Sequence, residues 1–153
     1  MDYLIDTNIV VLYSRDNHNS KLIEQKYQLF GGNHKLFISV ASLGEIDAII
    51  KRLQLGEKRQ RYIQRILSPV NKIGINFTEI ISRYGDIDAF SQGKLPNNKA
   101  NFSARNMGKN DLWIAATSSV YDLVLLTTDK DFNHLDNEYL NLEYIDIQAL
   151  KAT

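Results

Sequence analysis

Four acidic residues could do chemistry together, three where the surrounding sequence changes from one kind of element to another and one inside a helical stretch. Asp6 follows Tyr3-Leu4-Ile5 directly, and Asp129 follows Leu123-Val124-Leu125-Leu126 after Thr127 and Thr128. Asp111 opens a helical stretch, where the positive end of the helix dipole favours a carboxylate. Glu45 lies in another helical stretch beside Leu43 and Ile46, at the edge of its apolar face. Singly, each has an ordinary structural explanation: Asp6 and Asp111 as helix caps, Asp129 as a turn former, Glu45 as a surface side chain. Gathered in one cleft, four carboxylates repel one another, and their pKa values rise unless a cation joins them. A donor set made only of oxygens suits a hard divalent cation, Mg²⁺ or Mn²⁺. With such an ion the chemistry is hydrolysis of a phosphodiester by in-line displacement, without a covalent enzyme intermediate.

Other metal chemistries are narrowed by composition. The chain has no cysteine, so thiolate sites and disulfides are excluded, and a reducing cytoplasmic setting is expected. The three histidines, His18, His34 and His134, fall in polar stretches without ligand spacing and read as surface residues. No run approaches the ~18 apolar residues of a membrane span. The start, Met1-Asp2-Tyr3-Leu4-Ile5-Asp6, lacks the basic and apolar regions of a signal peptide.

Net charge is formally zero, yet charge is segregated. Residues 51–65 hold Lys51, Arg52, Lys58, Arg59, Arg61 and Arg65 against Glu57, a local +5. Residues 94–109 hold Lys94, Lys99, Arg105 and Lys109 with no acid, a local +4. Residues 121–146 hold seven acids against Lys130, a local −6. Such a chain can hold a polyanion at one place and a metal at another; the plainer reading is solvated helix faces.

The elements that must position the acids alternate. Short apolar runs at 3–5, 36–38, 72–75, 123–126 and 142–147 read as strands. Helical spacing of apolar residues predicts helices over 19–30, 39–53, 57–67, 77–90 and onward from Asn110. Asp6-Thr7-Asn8 offers capping side chains ahead of Ile9. Residues 91–109 form the longest candidate loop, of a length that tends to be functional. A chain of 153 residues suits one domain spanning 1–153. The alternation predicts an α/β three-layer α/β/α fold with a mainly parallel, about five-stranded sheet. Ligands then bind beyond the carboxyl ends of the strands, where strand order reverses.

Four segments carry a family resemblance when taken in order: Leu4-Ile5-Asp6-Thr7-Asn8, Ser42-Leu43-Gly44-Glu45-Ile46, Lys109-Asn110-Asp111-Leu112-Trp113-Ile114-Ala115-Ala116, and Leu125-Leu126-Thr127-Thr128-Asp129-Lys130-Asp131-Phe132. Together they resemble PIN-domain nucleases, especially the VapC-type toxins of toxin–antitoxin modules. The resemblance implies a Mg²⁺- or Mn²⁺-dependent endoribonuclease with Asp6, Glu45, Asp111 and Asp129 as its metal-holding acids. It makes Asp131 a candidate further ligand, and Thr127 and Asn8 polar residues supporting the site. It also implies an RNA substrate, a homodimer and a silencing protein antitoxin. Lys99, Arg105 and Lys109 are expected to touch the RNA backbone, which gives salt-dependent affinity without sequence choice. Two other readings stay open here: a PIN-domain nuclease of RNA processing or decay, and a catalytically silent domain that only binds RNA or a partner. A phosphatase with an aspartate nucleophile would want a second acid two residues after the first, and Asn8 stands there instead.

Overall fold

Alternation along each strand decides where the core lies. In β1 (Asp2–Ile5), Tyr3 and Ile5 point to one face of the sheet and Leu4 to the other. In β2 (Lys35–Ser39), Leu36 and Ile38 share the first face and Phe37 takes the second. In β4 (Val124–Thr127), Leu126 goes with the first face and Leu125 with the second. Both faces are therefore apolar, and both must be covered by helices.

The computed structural model describes residues 1–96 and 102–152. Strands β3 (Asn71–Ile73) and β5 (Asn141–Tyr144) complete a five-stranded sheet in the order β3-β2-β1-β4-β5, with every pairing parallel. On the first face lie Ile9, Val10 and Leu12 of α1 (Thr7–Ser14), Ile23 of α2 (His18–Tyr27), and Ile63, Ile66 and Leu67 of α4 (Glu57–Leu67). On the second lie Ile80, Ile87 and Phe90 of α5 (Thr78–Ser91), with Leu112, Ile114, Ala115 and Ala116 of α6 (Lys109–Tyr121). The helix α3 (Val40–Arg52) follows β2 directly and contributes Ile46 to the first core and Ala41 to the second. The result is three layers, α/β/α, around a wholly parallel sheet.

Several boundaries differ from the sequence reading for local reasons. The helix expected over 19–30 stops at Tyr27. Gln28 turns left-handed (φ 50°), and the Glu24 carboxylate accepts from the amides of Phe30 and Gly31 at 3.2 and 2.8 Å and from the Tyr13 hydroxyl at 2.9 Å. Phe30 thus reaches the core from a loop, its ring edge-on to Tyr13. A 3-10 helix (Lys130–Leu135) and a short α7 (Ile147–Lys151) add to the predicted elements.

His134 corrects the expectation that all three histidines are surface residues. It is half-buried, its Nε2 lies 2.7 Å from the Ser91 hydroxyl, and its ring packs against Phe90 and Phe102. Burial, then the charge of Arg105, lowers its pKa. His34 is half-buried beside Tyr3, and His18 is exposed.

Leu125 is fully buried in the central strand β4. Leu125→Ala should cost about 2–5 kcal/mol, read as a lower urea midpoint at unchanged m value.

Candidate metal centre

The sheet turns direction of growth between β1 and β4. From β1 the chain adds β2 and β3 on one side, then crosses to place β4 and β5 on the other. The carboxyl ends of β1 and β4 lie side by side, with Ile5 opposite Leu126. This is the switch point at which open parallel sheets form a crevice.

Asp6 occupies it. Its amide donates to the Leu126 carbonyl at 3.0 Å, extending the pairing by one residue. Its side chain caps α1: Oδ1 accepts from the Thr7 amide at 2.7 Å, and Oδ2 accepts from the Thr127 hydroxyl at 2.7 Å. Asp6 is therefore both a helix cap and a member of the acidic cluster. The Thr127 hydroxyl also accepts from the Asp129 amide at 3.0 Å, and Asp129 Oδ1 accepts from the Asp131 amide at 2.9 Å. One hydrogen-bonded chain thus fixes the turn after β4 to the end of β1.

Glu45 comes from α3, half-buried, and accepts from the Thr7 hydroxyl at 2.9 Å. Asp111 stands in the first turn of α6, which has no side-chain cap hydrogen bond. Ligand oxygens of Asp111, Asp129 and Asp131 lie within 4.8 Å of one another. Donors at about 2.1 Å from a Mg²⁺ are at most about 4.2 Å apart, so the trio has nearly the size of a hard-cation site. Asp131 stands inside that trio, while Asp6 and Glu45 stand against neighbouring hydroxyls. Asn8 Oδ1 is buried with no hydrogen-bond partner among the described residues. Arg105 and Lys109 are exposed, and Lys99 lies outside the described residues.

The charges strain the cluster. Burial above all, with repulsion from Glu45 and Asp129, raises Asp6 to about 6 against the pull of the Thr127 and Thr7 hydrogen bonds. Asp111 is raised to about 7, again first by burial and then by Asp6, Asp129, Glu45 and Asp131. A divalent cation removes this conflict, and the all-carboxylate donor set fits one.

The family model described as the PIN domain matches residues 3–138. The chain belongs to the PIN-domain family. PIN-domain nucleases are hydrolases acting on nucleic acids and use divalent metal ions. Solved structures agree on the fold. VapBC2 from Rickettsia felis, bound to a promoter DNA fragment, contains a chain with TM-score 0.76 and 23% identity, covering 95% of this chain and 100% of that one. VapBC-1 from nontypeable Haemophilus influenzae matches at TM-score 0.65 and 26% identity, covering 94% and 98%. VapBC-5 from Mycobacterium tuberculosis, of the VapBC family of toxin–antitoxin systems, matches at TM-score 0.58 and 19% identity, covering 94% and 97%. No curated protein sequence matches the chain. In this PIN domain the crevice between β1 and β4 is where the ordered acidic motifs meet.

The reach of the motifs stops short of two things. Ser91 holds His134, and its carbonyl accepts from the Arg105 amide at 2.7 Å, so α5 anchors both the segment before α6 and the 3-10 helix bearing Asp131. No local spacing announces that contact, because its partners are 14 and 43 positions apart.

The raised carboxyls predict a pH dependence of the metal-free protein. In the unfolded chain both groups ionise near 3.8, and in the folded one near 6 and 7. Between these limits the folded state holds more protons, so the stability these groups contribute is present at low pH and lost as pH rises. In EDTA, Asp111→Asn should therefore become more stable than wild type as pH climbs from about 4 to about 7. Parallel melting-temperature profiles would refute this.

Proposed function

We propose that this protein is a divalent-metal-dependent endoribonuclease acting as the toxin of a toxin–antitoxin pair in the cytoplasm. The observation that carries the reading is the gathering of Asp6, Glu45, Asp111 and Asp129, with Asp131, at the switch point of a PIN-domain sheet. Five acids in one crevice are costly without a cation and useful with one.

Asp111, Asp129 and Asp131 would hold the cation, with Asp6 and Glu45 completing its surroundings directly or through water. When bound, Mg²⁺ or Mn²⁺ supplies Lewis acidity toward a phosphate oxygen and lowers the pKa of water. Glu45, held by Thr7 from a different helix, is placed to orient the attacking water or accept its proton. Thr127 fixes the Asp6 carboxylate, and through the Asp129 amide it fixes the turn that carries two further acids. It acts as a positioning residue. Arg105 and Lys109 precede Asp111 in sequence and are exposed, which suits contacts to RNA phosphates beside the crevice.

The toxin part of the reading draws on likeness to chains from VapBC structures, whose coverage is nearly complete in both directions. The implied partner is a protein antitoxin, and the implied assembly a homodimer. Exposed Phe77 and Ile81 on α5 and its N-cap suit the latter.

Purified protein with structured RNA and Mn²⁺ or Mg²⁺ should release defined fragments, and EDTA should stop it. Asp6→Asn and Asp111→Asn should each lower the rate by roughly 100-fold or more. RNA binding without cleavage at saturating metal would overturn the enzyme reading. Thr127→Val should lower the rate by about 10–100-fold and weaken Mn²⁺ binding measured by calorimetry, while CD spectra stay those of the wild type.

A further inference from the structure

A cavity of about 810 Å³ opens between the end of α1 and the start of α4, remote from the acidic crevice along α1. Asp6 caps the first turn of that helix and Ser14 ends it, a rise of about 12 Å. The cavity is lined by Arg15, Lys58, Arg59, Arg61 and Arg65, against the single carboxylate of Asp16. Most of these cations are unpaired. Of these five, only Arg61 has an acidic neighbour within 4.0 Å among the described residues, Glu57 at 3.9 Å, and both side chains are exposed.

Three further features fit an anion rather than a solvated face. Arg59 is held in place by donating from Nη2 to the Ser14 hydroxyl at 3.2 Å, while its Nε is buried with no partner among the described residues. A guanidinium fixed in this way on the cavity wall suits phosphate oxygens, whose geometry it matches. The cavity wall at Gly56 is the N-terminus of α4, which no side chain caps, and nothing lies within 4 Å of where a Cβ would stand. Its first-turn amides and dipole therefore face an open approach. Tyr62 lines the same cavity, and an aromatic ring there suits contact with an unpaired base.

The geometry points to this cavity as a binding site for the phosphodiester backbone of single-stranded RNA, engaging the substrate away from the scissile bond. The inference rests on the nuclease reading for its choice of polyanion. It also meets a need of that reading. Clustered carboxylates repel an incoming RNA, and cations away from the crevice add to what Arg105 and Lys109 supply beside it.

The test uses the exposed pair Lys58 and Arg61. A fluorescein-labelled single-stranded RNA of mixed sequence is titrated with wild type and with the double variant Lys58→Glu/Arg61→Glu, by anisotropy in EDTA over a range of KCl concentrations. CD and melting temperature confirm that the variant is folded. The variant should bind about tenfold more weakly, and its plot of log affinity against log salt should be shallower by roughly 1.4, the loss of two phosphate contacts. With metal restored, KM for RNA should rise while kcat is kept. Equal affinity and equal salt slope for the two proteins would overturn the inference. So would tighter wild-type binding of a fluorescein-labelled polyglutamate peptide than of RNA at equal salt, which would assign the cavity to an acidic protein segment. The two readings fail separately. A wild type that binds RNA through this cavity yet cuts none removes the nuclease and leaves the site. A wild type that cuts RNA, with a variant that binds and cuts equally well, does the reverse.

Discussion

The parallel pairing of β1 with β4 is the constraint on which the rest depends. It joins residues more than a hundred positions apart, Tyr3 with Val124 through Ile5 with Leu126, and the Asp6 amide extends it to the Leu126 carbonyl. Both strands sit in the middle of the sheet with Leu4, Ile5, Leu125 and Leu126 fully buried, so a slip by one residue would exchange the faces of all four. The register is thereby fixed, and with it the meeting of Asp6 with Thr127. Every other acidic group is placed relative to that pair: Glu45 through Thr7, Asp129 and Asp131 through the turn after Thr127, and Asp111 from the first turn of α6, which packs on the face that Leu4 and Leu125 share.

A fold that brings so many carboxylates together works against its own stability, and the compensations are local. Two helices, α1 and α6, start at the crevice, so their N-termini offset negative charge. Two threonine hydroxyls, on Thr7 and Thr127, donate to Glu45 and Asp6. These donors do not cancel the burial and repulsion that leave Asp6 and Asp111 raised. The residual conflict is what a divalent ion can relieve. It is also the sign of a functional site, where strain persists only because the surrounding sheet holds it in place.

The sequence shows much of this because the parts it shows are local. Strands buried on both faces read as continuous apolar runs, and Asp6, Asp111 and Asp129 sit at element boundaries while Glu45 sits inside a helix of plain apolar spacing. The helix Glu57–Leu67 falls where its spacing puts it. Features built from distant partners are not legible in that way. Helix α2 ends early because Glu24 folds back on the amides of Phe30 and Gly31, although Phe30 continues an apolar spacing that looks helical. His134 looks like a loop histidine in its polar neighbourhood, and only the packing of α5 brings Ser91, Phe90 and Phe102 to it. Spacing alone makes Asp131 a turn residue beside Asp129, and only the family resemblance raises it as a ligand; the 3-10 helix brings its carboxylate within 4.8 Å of those of Asp111 and Asp129.

Net charge hides the other half of the design. A sum of zero implies no attraction to nucleic acid, yet it arises from cancelling extremes that the fold keeps apart. The acidic turn after β4 lies at the carboxyl end of the sheet, and the cations of α4 gather with Arg15 at the far end of α1. At physiological salt, fields between exposed charges fade over about 8 Å. A separation of about one helix length therefore lets each region act on its own ligand. The acids can select a small divalent cation without drawing it to the arginines. The arginines can hold a polyanion without neutralising the acids. Mixing the same residues along one face would lose both properties at unchanged composition, so the separation imposed by α1 does what the charge total cannot.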